Sequence, residues 1–222
     1  LCARAALRSG AGLVTAACPF AVLNTIQAQA PCAMAKVVSD GAELDAGAAE
    51  LLTELAKGKA ALAIGPGLGR TDGAWLAVEA LVRSDTPKVI DADALFLLAK
   101  HGGGVGANTV LTPHPGEMAR LCDTTVQAVL AAPVEFAQQL AADLGACVLL
   151  KGARTLVSDG DATYISLYGT PALAKGGSGD VLSGILTALL CQRNRLSTSL
   201  STSALAAYGV LIHALAGLRA EK

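Results

Sequence analysis

The sequence is poor in aromatic residues and has almost no charge imbalance. Phe, Trp and Tyr together make up 3% of its 222 residues, and 17 Lys and Arg stand against 18 Asp and Glu, a formal net charge of -1. Without an excess of positive charge, we expect neither nucleic acid nor an anionic membrane surface as a partner.

Long hydrophobic runs are scarce as well. The nearest approach to a membrane span, Ala204–Leu218, carries Tyr208 and His213 and falls short of the roughly 18 apolar residues that a bilayer requires. Residues Leu1–Leu13 lack the charged start, apolar stretch and cleavage signal of a secretion signal. We therefore expect no membrane partner.

The six cysteines do not form a metal or redox motif. They are spread along the chain without the C-x-x-C pair or histidine-rich neighbour that zinc sites and thioredoxin-like motifs require. Free thiols are typical of a reducing compartment, so we expect a cytoplasmic protein.

Short Val-, Ile-, Leu- and Ala-rich runs alternate with longer helical patterns along the chain. This alternation is typical of strands that are buried on both faces by crossover helices. The length and the 53% hydrophobic content suit one domain, and no linker-like segment divides it. We therefore predict a single α/β domain over residues 1–222 with a mostly parallel sheet. The turn at Asp159-Gly160 favours an antiparallel hairpin at the edge of that sheet.

The predicted strands are Leu13–Ala17, Ala60–Ile64, Lys88–Ile90, Thr109–Leu111, Cys147–Lys151, Thr155–Ser158 and Ala162–Ser166. The predicted helices are Ala3–Ser9, Ala46–Lys57, Gly73–Arg83, Ala94–Lys100, Pro115–Leu121, Thr125–Leu144, Asp180–Gln192 and Ser201–Arg219. The Ser- and Thr-rich stretch Leu196–Ser203 predicts a loop between the last two helices.

The strongest functional signal is the run Lys175-Gly-Gly-Ser-Gly-Asp180, which precedes an apolar helix. Glycines let a backbone approach a ligand closely, and a helix N-terminus presents free N–H groups and a positive dipole to an anion. The run therefore predicts a phosphate site. A phosphate would repel Asp180 unless this carboxylate has a task, and general-base activation of a hydroxyl that attacks a phosphoryl group is one. The alternative is that Asp180 only caps its helix.

Two further loops follow predicted strands. Gly65-Pro-Gly-Leu-Gly69 lies at the carboxyl end of a strand, where open α/β sheets bind ligands, although an ordinary strand-to-helix turn explains it equally well. Thr112-Pro-His-Pro-Gly-Glu117 holds His114 between two prolines, which predicts a rigid histidine that faces a ligand. We interpret Glu117 as a helix cap or as a contact to a ligand or a metal-bound water. We interpret His213, inside an apolar helix, as a core residue.

A lysine and two aspartates complete the candidates. Lys151-Gly152 follows a predicted strand, which favours a cation that binds phosphates, with a surface lysine in a turn as the alternative. Asp91 and Asp93 leave another strand end, and alternate residues of a strand point the same way. We therefore predict that both carboxylates hold Mg²⁺ through waters.

In this order the segments resemble the NAD(P)H-hydrate dehydratase family, carbohydrate-kinase-like repair enzymes of ribokinase-like fold. The matching stretches are Ala6–Val14, Gly65–Gly69, Ile90–Leu95, Leu111–Glu117, Leu150–Gly152 and Gly176–Gly184. The combination of Thr-Pro-His-Pro-Gly-Glu with Gly-Gly-Ser-Gly-Asp carries the resemblance, because related small-molecule kinases share the glycine run without the His-Pro-Gly-Glu loop. The resemblance covers nearly the whole chain and implies a ribokinase-like three-layer α/β/α sandwich.

The resemblance implies an ADP- or ATP-dependent repair reaction. The S epimers of the hydrated cofactors NADHX and NADPHX would be phosphorylated on the ring hydroxyl and returned to NADH and NADPH by elimination of phosphate. Bacterial members of the family typically use ADP, which favours ADP as co-substrate.

The resemblance also implies a role for each matching residue. Asp180 would be the catalytic base, and Gly67, His114 and Asp180 would contact the hydrated cofactor. The adenine nucleotide would be bound by Lys151, Gly152, Ala153, Arg154 and Thr155 and by Gly177, Ser178 and Gly179. Asp91, Asp93 and Glu117 would contact the metal through water.

The chain departs from the family pattern at both ends. A first strand and a Gly-Ser…Gly-Ala segment normally precede the stretch matched by Ala3–Val14, and the family normally continues past Lys222. We therefore predict truncation at both ends. Within the chain, Thr170 and Ala172 replace a common Asn and a common Gly. Two alternatives stay open, an ordinary ribokinase-like small-molecule kinase and an inactive, truncated nucleotide-binding protein. A homo-oligomer is also compatible with the apolar helices.

Overall fold

The computed structural model describes residues 1–193 and 200–221. The described strands are β1 (Thr15–Pro19), β2 (Met34–Ser39), β3 (Leu62–Ile64), β4 (Lys88–Ile90), β5 (Thr109–Leu111), β6 (Cys147–Leu150), β7 (Leu156–Ser158) and β8 (Thr163–Ile165). The described helices are α1 (Cys2–Arg8), α2 (Leu23–Gln29), α3 (Ala49–Ala56), α4 (Asp72–Arg83), α5 (Asp93–His101), α6 (Pro115–Leu121), α7 (Val126–Ala131), α8 (Pro133–Leu144), α9 (Ser178–Gln192) and α10 (Thr202–Ala220).

The main sheet contains six strands in the order β3-β4-β5-β6-β7-β8. Strands β3 to β6 pair in parallel, whereas β7 and β8 add to β6 in antiparallel fashion. Parallel neighbours need crossover connections, and helices α4 to α8 supply them between these strands. The predicted mostly parallel sheet with an antiparallel edge hairpin is confirmed.

Successive residues of each central strand enter opposite layers. In β6, Val148 and Leu150 pack into a core formed with α3 to α8, whereas Cys147 and Leu149 pack into a second core with α9 and α10. Because helices cover both faces of the sheet, every residue of the central strands β4, β5 and β6 is buried. The predicted three-layer α/β/α sandwich is confirmed.

The first predicted strand lies outside the main sheet. β1 pairs in parallel with β2, and these two strands form a separate two-stranded sheet. Strand β2 and helix α2 are absent from the sequence-based assignment. The segments Leu23–Gln29 and Met34–Ser39 mix apolar and polar residues without the buried run or clear period that marks the other elements.

The predicted helix Thr125–Leu144 is two helices in the structure, because Pro133 cannot continue a helix through its missing N–H group. Thr125 caps α7, and Pro133 is the first residue of α8. The predicted loop Leu196–Ser203 lies partly outside the described residues. Its described end leads into α10, whose first turn is capped by Ser201.

Helix α10 has the length and composition of a membrane-spanning helix, with 19 residues and a hydropathy of 1.3. The expectation that no segment is long and apolar enough to span a membrane is therefore wrong for α10 as judged by length and mean hydropathy. Tyr208 and His213 are polar without being charged, so they do not exclude the helix. Length and mean hydropathy alone are weak evidence for a membrane span, since the core helix of a folded domain can have the same length and hydropathy. Residues Leu205, Ala206, Val210 and Ala214 of α10 are buried within the domain.

Candidate active site

The candidate residues lie at one edge of the main sheet. Strands β3 to β6 are parallel, so their carboxyl ends share that edge. The loops that leave it are residues 65–69 after β3, 91–92 after β4, 112–114 after β5 and 151–155 after β6. The first turn of α9 meets them there, because a Cβ atom built on Gly179 would lie 3.5 Å from Lys151 Nζ and 3.7 Å from Asp91 Oδ2.

Helix α9 begins without a side-chain cap. Its N-cap residue is Gly177, which adopts a left-handed conformation with φ 85° that a residue with a side chain rarely takes. Asp180 is the third residue of the helix and is partly exposed, and it forms no hydrogen bond or ion pair with any described residue. Asp180 is therefore neither the N-cap residue nor a side-chain acceptor for the N-terminal N–H groups, and its charge lies in the first turn of the helix. The Ser178 N–H donates to the Lys175 carbonyl oxygen at 3.3 Å, whereas the N–H groups of Gly179 and Asp180 and the Asp180 carboxylate have no partner among the described residues and remain available to a ligand.

Lys151 is ion-paired with a buried carboxylate. Its Nζ donates to Asp91 Oδ1 at 2.8 Å and lies 3.7 Å from Glu117 Oε2. Asp91 is 2% exposed and accepts a second hydrogen bond, from Ser183 Oγ to its Oδ2 at 2.7 Å. Burial would raise the pKa of Asp91, but the Lys151 charge and the hydrogen bonds from Lys151, Ser183 and Thr112 outweigh it, so the pKa lies below its ordinary value.

Asp93 does not share a face with Asp91, contrary to the prediction. Strand β4 ends at Ile90, and Asp93 is the first residue of α5, so the alternation of side chains along a strand does not reach it. Its carboxylate pairs with Arg70 Nε at 2.6 Å and accepts a hydrogen bond from the Gly69 N–H at 3.1 Å. Asp93 thus closes the glycine loop against α5.

His114 and Glu117 form a capping box at the start of α6. The His114 Nδ1 accepts hydrogen bonds from the backbone N–H groups of Gly116 and Glu117, and Glu117 Oε2 accepts one from the His114 N–H at 2.8 Å. The loop is as rigid as predicted. Because Nδ1 is engaged, this half-exposed ring can reach a ligand only through its Nε2 edge, and Nε2 also lies 3.6 Å from Glu117 Oε1.

The donor set does not match a metal ion held directly by protein atoms. Among the described residues, no group of three or more His, Cys, Asp and Glu side chains is close enough to hold one. Both Asp91 oxygens and both Asp93 oxygens already accept hydrogen bonds or ion pairs, and the Lys151 ammonium lies between Asp91 and Glu117. The prediction of contacts through water is untested.

The glycine loop after β3 approaches the start of α5 closely. A Cβ atom on Gly65, which has φ 125°, would lie 1.7 Å from the Asp91 carbonyl oxygen, so only glycine fits. Gly67 has φ 71°, and a Cβ built on it meets no atom within 4 Å. The loop is therefore a tight turn at Gly65 and an open, side-chain-free surface at Gly67.

The predicted nucleotide segment Lys151–Thr155 lies beside the stretch that leads into the glycine run. A Cβ atom on Gly169 would be 2.2 Å from the Ala153 carbonyl oxygen, and the Ser166 N–H donates to the Thr155 carbonyl oxygen at 2.9 Å. Gly152, Ala153 and Arg154 are exposed. The structure thus brings the two predicted nucleotide segments together.

His213 belongs to this site and not to the core, contrary to the sequence-based interpretation. Its Nε2 lies 3.2 Å from Ser178 Oγ at the start of α9, and burial lowers its pKa against a smaller opposing effect of Ser178. His213 also lines an open cavity of about 310 Å³ beside the glycine run. The other lining residues are Leu1, Ala172, Leu173, Lys175, Gly176, Gly177, Ser178, Val181, Ala216, Gly217 and Ala220.

Two further residues at the site have no role in the sequence-based assignment. Ser183 lies one helical turn after Gly179, and that spacing is a signal that places both on one face of α9. The Cys2 thiol lies near Asp180 because α1 packs on α9. Burial, with a smaller effect of Asp180, raises the pKa of Cys2 to about 12, so this thiol is protonated at neutral pH.

A family model and curated relatives match this chain and agree with each other. The family model for NAD(P)H-hydrate dehydratase matches residues 1–222. The bifunctional NAD(P)H-hydrate repair enzyme of Moorella thermoacetica is 40% identical over 229 residues, covering 100% of this chain and 42% of that enzyme. The chain thus spans less than half the length of this curated relative.

Two further proteins give similar results. The ADP-dependent (S)-NAD(P)H-hydrate dehydratase of Cenarchaeum symbiosum is 34% identical over 219 residues, which cover 98% of this chain and 74% of that protein. The crystal structure of ADP/ATP-dependent NAD(P)H-hydrate dehydratase from Bacillus subtilis, co-crystallised with ATP and Mg²⁺ and soaked with CoA, superposes with a TM-score of 0.79 at 28% identity. The match covers 100% of this chain and 77% of that one.

Proposed function

Because this chain belongs to the NAD(P)H-hydrate dehydratase family, we propose that it returns the S epimers of NADHX and NADPHX to NADH and NADPH with ADP or ATP as co-substrate. One observation carries the proposal. The unpaired carboxylate of Asp180 lies in the first turn of α9, whose start meets the Lys151 ammonium, at the sheet edge that also presents Gly67 and His114.

The chemistry begins with a proton transfer. Asp180 takes the proton of the ring hydroxyl, and the oxygen attacks the terminal phosphoryl group of the nucleotide, whose bond to the remaining nucleotide breaks. The phosphate then leaves the ring with the C–O electron pair, and loss of a proton from the neighbouring ring carbon forms the double bond. The first turn of α9 stabilises the transferring phosphoryl group through its free N–H groups.

The nucleotide has two contacts in this proposal. Its phosphates lie at Gly177, Ser178 and Gly179, within reach of Lys151 and the loop to Thr155. Its adenine base enters the cavity beside the glycine run, whose lining includes Leu173, Val181 and His213. A mostly apolar cavity of about 310 Å³ is of a size that suits a small planar ligand. The names of the relatives favour ADP, with ATP as the alternative.

The hydrated nicotinamide occupies the other side of Asp180. Gly67 offers a surface without a side chain, and the half-exposed ring of His114 offers one polar contact through its Nε2 edge. Mg²⁺ would neutralise nucleotide phosphates and keep most of its waters, as it does in related chemistry. Since the protein donors do not fit a directly held ion, we assign no step to the metal. Contacts of Asp91, Asp93 and Glu117 to its waters are part of the proposal.

We place the reaction in the cytoplasm, which the six free cysteines favour. Small molecules are the partners in this proposal, and nucleic acid and membrane are not. Self-association remains a prediction, and the exposed apolar side chains of Ile212 and Leu215 on α10, with the exposed ring of Tyr208, are compatible with it.

The test is an assay with NADHX, Mg²⁺ and either ADP or ATP, which follows the return of the NADH absorbance at about 340 nm. We expect an absorbance gain that depends on the nucleotide. Consumption of ATP with a small alcohol and no gain with NADHX would identify a kinase instead. No gain and no nucleotide binding would identify an inactive chain.

A further inference from the structure

The Lys151–Asp91–Ser183 cluster connects three elements below the glycine run. Lys151 follows β6, Asp91 follows β4 and Ser183 belongs to α9. One carboxylate oxygen of Asp91 accepts from Lys151 Nζ at 2.8 Å, and the other accepts from Ser183 Oγ at 2.7 Å. The Ser183 hydroxyl also lies 3.1 Å from the Gly179 carbonyl oxygen in its own helix, a contact that does not pass through Lys151. Ser183 is fully buried, whereas Lys151 is 22% exposed and reaches the surface at the site.

The Asp91 carboxylate is fixed from several sides. A buried carboxylate must be paired and hydrogen-bonded, and Lys151 supplies the charge while Ser183 supplies the second donor. The backbone is fixed as well, because the Asp91 carbonyl oxygen packs directly against Gly65. Asp91 therefore has little freedom to turn, and its oxygen toward Lys151 has a defined position.

Two acceptors compete for the Lys151 ammonium. Asp91 holds it at 2.8 Å, and Glu117 Oε2 lies 3.7 Å away on the other side. The ammonium also lies 3.5 Å from the position of a Cβ atom on Gly179, next to the predicted phosphate site. A weaker hold by Asp91 would let the flexible lysine shift toward Glu117 and away from the start of α9.

We propose that Asp91 is a positioning residue: fixed by Ser183, it holds the Lys151 ammonium against the start of α9, where that ammonium binds the terminal phosphates of the nucleotide. The proposal rests on the proposed function for the identity of the nucleotide. Ser183 in this view acts on nucleotide binding through Asp91 and Lys151, without touching the ligand itself.

The experiment removes the Ser183 hydroxyl by Ser183→Ala and measures the Kd of ADP with Mg²⁺ by titration calorimetry, together with the KM of NADHX. We expect the Kd of ADP to rise about tenfold, as the loss of a hydrogen bond to a charged group implies, and the KM of NADHX to change less than about twofold. The matched control is Thr187→Val in the same helix. The Thr187 hydroxyl bonds only the Ser183 carbonyl oxygen, so this variant should bind ADP like the wild type.

A second measurement separates positioning from mere support of the fold. In a Lys151→Met background, Ser183→Ala should leave the Kd of ADP unchanged, because its effect passes through the lysine. If Lys151→Met fails to fold with Asp91 left unpaired, the double variant Asp91→Asn/Lys151→Met, which removes both charges, takes its place as background. An equal rise of the Kd with and without Lys151 would overturn the proposal, and so would an unchanged Kd in Ser183→Ala alone.

The comparison of ADP Kd values does not depend on turnover, whereas the KM of NADHX requires an active chain. A wild-type chain that binds ADP but restores no NADH absorbance would contradict the proposed function, while the ratio of ADP Kd values would still decide the role of Asp91 and Ser183. Equal losses of ADP and NADHX affinity in Ser183→Ala would point to general damage and count against the positioning role.

Discussion

Two carboxylates at the sheet edge differ in their surroundings, and this difference separates their roles. Asp91 is buried and held by Lys151 and Ser183, so its charge is already compensated. Asp180 is partly exposed in the first turn of α9 and has no partner among the described residues. A compensated carboxylate is suited to hold other groups in place, whereas an unpaired one can accept a proton.

We expect Asp180→Asn to abolish the NADHX-dependent absorbance gain while the Kd of ADP changes less than about threefold. The amide keeps the shape of the side chain but cannot take the proton of the hydroxyl. Steady-state kinetics and calorimetry on the same preparation measure both quantities. Parallel losses of ADP affinity and turnover would contradict the role of Asp180 as a base.

The pH dependence of stability should depend on Asp91. Its pKa is lower in the folded chain than its ordinary value of 3.8, so its contribution to stability is present above that value and is lost as the pH falls through the folded pKa. We expect the wild type to lose free energy of unfolding as the pH falls from about 5 to about 3, and Asp91→Asn to show a smaller loss. Urea unfolding at several pH values measures it. Parallel curves for the two proteins would refute this assignment.

At the level of loops and helices, the glycine loop 65–69 lies close to the start of α5. This contact fixes the positions of the neighbouring strand ends at the sheet edge. Gly65 contacts the Asp91 carbonyl oxygen, and the Gly69 N–H binds the Asp93 carboxylate at the start of α5. The loop thus couples the end of β3 to the end of β4, and leaves Gly67 facing outward.

We expect Gly65→Ala to lower the free energy of unfolding by about 3 kcal/mol, because a Cβ atom would overlap the Asp91 carbonyl and the left-handed backbone adds strain. Gly67→Ala is the matched control. It has a left-handed backbone but no neighbour, so it should cost only about 1 kcal/mol. Urea unfolding of both variants checks this, and similar costs at the two positions would show that the contact at Gly65 is unimportant.

At the level of the whole molecule, the proposed nucleotide site joins the sheet edge to α9 and α10. The cavity is lined by the glycine run and by His213 and Gly217 of α10, and it lies on the opposite side of the sheet from helices α3 to α8. A ligand there contacts elements that are far apart in the chain, so its binding should stabilise the domain as a unit.

We expect ADP with Mg²⁺ at one hundred times its Kd to stabilise the folded chain by about 2.7 kcal/mol, provided that it binds only the folded state. Thermal unfolding with increasing ADP measures the effect, with AMP as the comparison that lacks the terminal phosphate. An unfolding midpoint that does not respond to ADP would contradict the nucleotide site.

Removal of metal should act on catalysis and not on the fold. Because no described cluster of side chains can hold a metal directly, we expect a chelator to abolish nucleotide-dependent turnover and to leave the unfolding midpoint of the ligand-free chain unchanged. A lower midpoint in the chelator would reveal a structural metal and overturn this expectation.

Several parts of the fold follow from local sequence. The bounds of β4, β5 and α6 agree with the prediction to the residue, since each element is an apolar run or helical pattern between clear turn or proline signals. The prediction fails where local signals are weak or compete. Strand β2 lacks a continuous buried apolar run, and Pro133 divides a stretch with a helical pattern into two helices.

The sequence by itself determined the layered α/β architecture, the glycine-rich start of α9 and the set of loops at the sheet edge, because periodicity, glycines and prolines act over a few residues. Only the tertiary structure decided which charges are free. It pairs Lys151 with Asp91, Asp93 with Arg70 and His213 with Ser178. These pairings join residues at least 23 positions apart, and only the packing of the sheet and its helices brings them within hydrogen-bonding distance.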